Sequence, residues 1–141
     1  MFTLNRRSVL TALAALAAGL SGRASAAPPD ERRRGFVAQA FAMKQRAIDS
    51  GDQPYGAVIV RGADIVGWGP SRVVMKQDWT AHAEREAIRD AQARLARDDL
   101  SDCVMYSTSR PCPDCERAAA QARLGRMYAG ADAADLGSPR R

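Results

Sequence analysis

One histidine, His82, and three cysteines, Cys103, Cys112 and Cys115, are all that 141 residues offer in thiol or imidazole ligands. A metalloprotease helix of the His-Glu-x-x-His kind is excluded, because its second histidine is missing. A Ser-His-Asp or Cys-His site would have to use His82 as its base, and no Gly-x-Ser-x-Gly elbow occurs. There is no Gly-x-x-x-x-Gly-Lys phosphate loop, and Gly67-Trp68-Gly69 runs straight into Pro70. Internal repeats are absent, and the longest run of like charge is Arg32-Arg33-Arg34, which reads as the solvated face of a helix. The length allows one domain at most, and 46% apolar with 26% charged residues is ordinary for a soluble globular chain.

What is present begins with a leader. Residues 1–26 combine a basic start, an alanine- and leucine-rich run from Thr11 to Leu20, and Ala24-Ser25-Ala26, a small-x-small cleavage pattern. The apolar run is too short for a permanent membrane span, so no stable anchor is expected. Arg6 and Arg7 resemble the twin-arginine export signal of bacteria, although Asn5 and Val9 depart from its usual Ser-Arg-Arg-x-Phe-Leu pattern. The expectation is a periplasmic or secreted protein. This segment holds three of the 21 basic residues and none of the 16 acidic ones, so the chain from Ala27 onward carries a net charge of +2 instead of +5. The basic balance of the whole chain is therefore weak evidence for a nucleic-acid partner.

Beyond the leader, Phe36, Ala40, Met43 and Ala47 predict a helix from Asp30 to about Ile48, with Gly51 past its end. "YGAVIVRGADIVGWG" reads as a hairpin with strands Tyr55 to Val60 and Ile65 to Trp68. Ala83, Ala87, Ile88, Ala91 and Leu95 give residues 80–97 helical spacing, with Asp78 or Thr80 as N-cap. "CVMYSTS" is a third strand, Cys112 to Arg123 a third helix, and "RMYAGA" a fourth strand. The order predicts an α/β fold, a mixed sheet sandwiched between helices.

Chemistry is left to His82, Glu84 and the Cys112/Cys115 pair. Cys-x-x-Cys serves either as a redox couple or as a metal site. A thioredoxin-like couple belongs after the first strand of its fold, whereas this one falls late. A structural zinc needs four protein ligands, and Cys103 could supply the fourth, although at the head of a core strand it reads as a small buried residue. Three ligands and an open position describe a catalytic zinc instead. His82 and the cysteines fall in the first turns of two helices, whose positive ends favour thiolate and neutral imidazole. First-turn side chains lean back toward the N-terminus, which aims Glu84 at the open position.

"TAHAE" followed by "TSRPCPDC" resembles the zinc-dependent nucleobase and nucleoside deaminases of the cytidine deaminase superfamily. The resemblance runs from about Val37 to Ala131. "QPYGAVIV" and "LGRMYAGAD" are similar to strands of the guanine deaminase and transfer-RNA adenosine deaminase branch. It implies a cytidine deaminase-like domain over residues 27–131 and a zinc ion held by His82, Cys112 and Cys115. Glu84 is then the catalytic proton carrier for hydrolytic release of ammonia from a base or nucleoside. Transfer RNA is cytoplasmic, so export argues for a small substrate, and the guanine-like strand favours a purine.

Several positions depart from the branch. Trp79 follows Asp78 where Asp-Pro is usual, Ser71 lies near a usual asparagine, and Arg110 stands where many members have Glu. Trp79, Tyr55 and Ser71 are the candidate substrate contacts. Residues 132–141, "DAADLGSPRR", read as a short tail where relatives continue into another strand and a terminal helix. That leaves the fourth strand as an uncovered edge, and a partner copy of the chain, a homodimer, is the expected cover. Export would expose Cys112 and Cys115 to disulfide formation unless zinc were loaded first, which the twin-arginine route permits. The reading from another class is a non-catalytic zinc-stabilised binding domain, or an inactive relative, with Cys103 as a ligand and no need of Glu84.

Overall fold

The computed structural model describes residues 29–141; residues 1–26, expected to be an export signal, lie outside the described residues. Helix α1 (Pro29–Asp49) begins on a proline and carries Asp30 and Glu31 in its first turn and Arg46 in its last, the charge order its dipole favours. Its buried residues are Ala40, Met43 and Ala47, and Phe36 of the expected face packs partly buried against Tyr106, ring centroids 5.4 Å apart.

Strands β1 (Gly56–Arg61) and β2 (Asp64–Pro70) form the expected antiparallel hairpin. β1 is buried on both faces, as a central strand must be: Val58 and Val60 face α1, while Ala57 and Ile59 join the core on the other side. A short helix, α2 (Val73–Lys76), was not expected from the sequence. Next come α3 (Ala83–Leu95), β3 (Val104–Ser107), α4 (Pro113–Gln121), β4 (Arg126–Ala129) and β5 (Ala134–Gly137).

The sheet order is β2-β1-β3-β4-β5, with β3 and β4 parallel and every other pair antiparallel. It is the expected mixed sheet between helices, with α1 on one face and α3 and α4 on the other. Among the described residues no helix is long and apolar enough to cross a membrane.

Two expectations are corrected. The segment read as a tail supplies β5, which pairs with β4 at Tyr128↔Asp135 and Ala129↔Ala134, so β4 is not an uncovered edge. Only Leu136 of this strand reaches the core, which is why its pattern resembles a tail. Helix α3 starts at Ala83 and its N-cap is His82, not Asp78 or Thr80. Asp78 Oδ1 instead accepts from the Thr80 backbone N–H at 2.8 Å and the Thr80 hydroxyl at 2.7 Å, a local turn that spends both groups before the helix begins.

Gly67 and Gly69 decide how closely α3 approaches the sheet. A Cβ on Gly67 would collide with the carbonyl of Ala87, and one on Gly69 with the carbonyl of Ala83 and the amide of Ala87. Both positions act as flat seats that let the helix backbone rest on β2.

Candidate active site

Two helix starts meet at the carboxyl end of β3. His82 and Cys112 are N-caps in extended conformation, at φ −61°, ψ 154° and φ −68°, ψ 164°. The His82 side chain makes no capping hydrogen bond and stays free for other work. Cys112 Sγ accepts from the Cys115 backbone N–H at 3.4 Å, and Pro113 occupies the first turn where an N–H would be unsatisfied.

Folding brings the three predicted ligands together. His82 Nδ1 lies 3.6 Å from Cys112 Sγ and 3.4 Å from Cys115 Sγ. Zinc bonds of about 2.3 Å to sulfur and 2.0–2.1 Å to nitrogen, at a tetrahedral angle, put such donors roughly 3.6 Å apart, so the set fits zinc. Among the described residues these three alone form a cluster of potential metal ligands. Burial, then the neighbouring Glu84 carboxylate, pushes the Cys115 thiol far above its ordinary range. A divalent cation reverses that preference, because a coordinated thiol gives up its proton.

Cys103 is not part of the cluster. It is fully buried in the core, its thiol beside the Asp102 carboxylate at 3.3 Å, and burial pushes it up to about 11. The fourth ligand needed by a structural zinc site is therefore missing from the place that reading requires. Cys115 is buried as well, so only Cys112 of the pair is partly open to solvent.

Glu84 is 5% exposed and its Oε1 accepts from the Ser107 hydroxyl at 2.9 Å. It lines a cleft of about 630 Å³ with His82 and Cys112. Gln53, Tyr55, Trp79, Ser109 and Arg110 complete the walls. Tyr55 is 44% and Trp79 81% exposed, so both aromatic candidates present ring surface at the cleft. Ser71 does not line it: the residue is 1% exposed and its hydroxyl donates to Asp52 Oδ1 at 2.9 Å. Its one hydroxyl proton is spent on a buried carboxylate, and burial keeps the oxygen's remaining lone pairs from any ligand in the cleft.

Asp52 ties this side of the site together. Oδ1 also accepts from Gln53 N at 2.8 Å, and Oδ2 accepts from Met75 N in α2 at 2.9 Å. Burial opposes its ionisation, but these N–H groups and Ser71 outweigh it and hold the carboxyl below its ordinary range. Sequence reasoning missed Gln53, Ser107 and Ser109. The run Ser107-Thr108-Ser109, closing an apolar strand just before the cysteines, was the available signal.

Three protein donors leave one tetrahedral position for water, and with a buried carboxylate beside it this is the layout of a zinc hydrolase. The family model of the cytidine and deoxycytidylate deaminase zinc-binding region matches residues 30–131, and the chain belongs to that family, whose members are zinc-dependent hydrolases of carbon–nitrogen bonds. It is 37% identical to guanine deaminase of Bacillus subtilis over 106 residues, covering 72% of this chain and 68% of that protein. Over 113 residues it is 36% identical to a tRNA(Ile)-lysidine synthase of Deinococcus radiodurans, spanning 79% of this chain but only 19% of that longer protein. The solved B. subtilis guanine deaminase superposes with a TM-score of 0.66 at 35% identity, over 68% of this chain and 62% of that one. A tRNA:A34 deaminase structure gives 0.67 at 32%, over 69% and 75%.

Proposed function

We propose that this protein hydrolytically deaminates a nucleobase or nucleoside, with a purine favoured. The observation that carries the reading is Glu84, buried without a cationic partner among the described residues and lining the cleft beside three ligands spaced for zinc. The purine preference is supported by the relatives named guanine deaminase and tRNA-specific adenosine deaminase.

A zinc ion held by His82, Cys112 and Cys115 supplies Lewis acidity that makes a water deprotonatable near neutral pH. The chain does the rest. Glu84 takes the water's proton as the oxygen attacks the amino-bearing ring carbon, and returns protons to the ring nitrogen and the departing amine. The amino carbon becomes a carbonyl, and water and substrate yield product and ammonia. Ser107 fixes the carboxylate by donating to Oε1, leaving Oε2 for the transfer. Tyr55 and Trp79 offer ring faces on which a flat heterocycle stacks.

Export through the twin-arginine route and a homodimer belong to the same proposal. Val74 and Met75, neighbours in α2 exposed at 57% and 54%, are the apolar side chains that a second copy would cover. Mass spectrometry of the protein secreted by its host and light scattering test these two points, with an intact N-terminus or a monomer counting against them.

The central test is ammonia release by the zinc-loaded chain with guanine, adenine, cytosine, their nucleosides and a transfer-RNA anticodon stem, against Glu84→Gln. Release that vanishes in the variant is expected. Zinc-replete protein with no release from any of them overturns the reading.

A further inference from the structure

Among the described residues that line the cleft, Gln53 alone carries a carboxamide. Its backbone is already engaged: the N–H donates to Asp52 Oδ1 and the carbonyl accepts from the Tyr55 N–H, each at 2.8 Å. Asp52 is itself buried and pinned by the Ser71 hydroxyl and the Met75 N–H, each at 2.9 Å. The Gln53 side chain, partly buried, takes part in none of the hydrogen bonds among the described residues. Gln53 thus offers the cleft an amide free to pair, on a backbone that folding has fixed in advance.

Gln53 and Trp79 are also the two residues that the cleft shares with a neighbouring cavity of about 370 Å³, whose other walls are Val73, Val74 and Gln77. The pair forms the partition between the two spaces, and a flat ring stacked on the Trp79 face turns its edge toward the amide. Stacking accepts any heterocycle, because every ring has a π face, so it cannot choose among them. A carboxamide can. It holds a donor and an acceptor side by side in one plane, the complement of a ring carbonyl next to a ring N–H.

We propose that Gln53 is the specificity-determining residue of the cleft. Its side-chain amide pairs with a lactam edge of the substrate, so that amino heterocycles bearing a ring carbonyl are selected over those without one. The inference rests on the deaminase reading and deepens it.

Equilibrium dialysis of the zinc-loaded full chain tests it, in a Glu84→Gln background that blocks turnover while ligands equilibrate. Guanine is paired with 2-aminopurine, and guanosine with 2-aminopurine ribonucleoside; the members of each pair differ only in the ring carbonyl and the N–H beside it. In at least one pair the lactam member is expected to bind about tenfold tighter or better. That ratio should fall toward one when Gln53→Leu removes the amide at similar volume, and recover in part in Gln53→Asn. A merely structural lesion would weaken both members alike and leave the ratio standing, which overturns the proposal. Equal affinities in both pairs, no binding by either member of either pair, or adenine binding tighter than guanine overturns it as well. Ammonia release is measured in parallel on the chain with Glu84 intact. Ammonia without a lactam advantage keeps the deaminase reading and sinks the role of Gln53, whereas a lactam advantage without ammonia from any substrate does the reverse.

Discussion

Glu84 and Glu86 lie two residues apart at the start of α3 and are almost equally buried, 5% and 8% exposed, yet they face different worlds. Two residues turn a helix by about 200°, so the pair points to opposite sides. Glu86 looks away from the cleft and meets Lys76 Nζ and Arg89 Nη1, each at 2.7 Å. Arg89 also donates to the Thr80 hydroxyl at 3.1 Å, so this ion triad clamps the loop that delivers Trp79 and His82. Glu84 looks inward to a hydroxyl and a thiol, with no cation beside it among the described residues. Both oxygens of Glu86 are spent on cations, whereas Glu84 meets only a hydroxyl and a thiol and faces the cleft. This contrast in partners suits the first to structure and the second to the proposed chemistry.

Exchanging the two in turn tests this most sharply. Glu84→Gln is expected to lower the deamination rate by about 10²–10⁴-fold while leaving the fold and zinc content intact; a comparable loss in Glu86→Gln at full zinc content would break the comparison. Glu86→Gln should instead cost stability, on the order of 1–3 kcal/mol in urea denaturation. That is less than the 3–5 kcal/mol typical of a broken buried pair, because Lys76 and Arg89 remain 46% and 43% exposed.

Asp52→Asn should act more gently, lowering the melting temperature by a few degrees near neutral pH. The Asp52 carboxyl is held below its ordinary 3.8 in the fold, so its contribution is present above that value and lost as pH falls through the lower folded one. The gap between wild-type and variant melting curves should therefore be full at pH 6, begin to shrink as pH falls below about 4, and close only at still lower pH. Cys103→Ala should do least, with unchanged zinc stoichiometry and a stability loss of about 1 kcal/mol. Loss of the metal in that variant would revive the four-ligand structural site.

The parts legible in the sequence are those written over short distances. His82, Glu84, Cys112 and Cys115 can be found because a first helical turn fixes where its side chains point, and β1 because its apolar run is unbroken. What escapes depends on partners far along the chain. Ser71 reads as a substrate contact because nothing local reveals that Asp52, nineteen positions earlier, claims its hydroxyl. Ser107 stays hidden for the same reason, its partner Glu84 lying 23 positions away. α2 is a single turn held by the same Asp52, and β5 has only its pairing with β4 to define it, so propensity has little to read in either.

The flat seat at Gly69 has a consequence for variation. Its missing side chain sits beneath Ala83, the residue between His82 and Glu84, so one added methyl would lift a metal ligand and the proposed proton carrier together. In a saturation scan scored on activity, Gly69 should behave like a ligand, although it binds nothing and does not line the cleft. Genetic intolerance at this position would measure a clearance, not a chemistry.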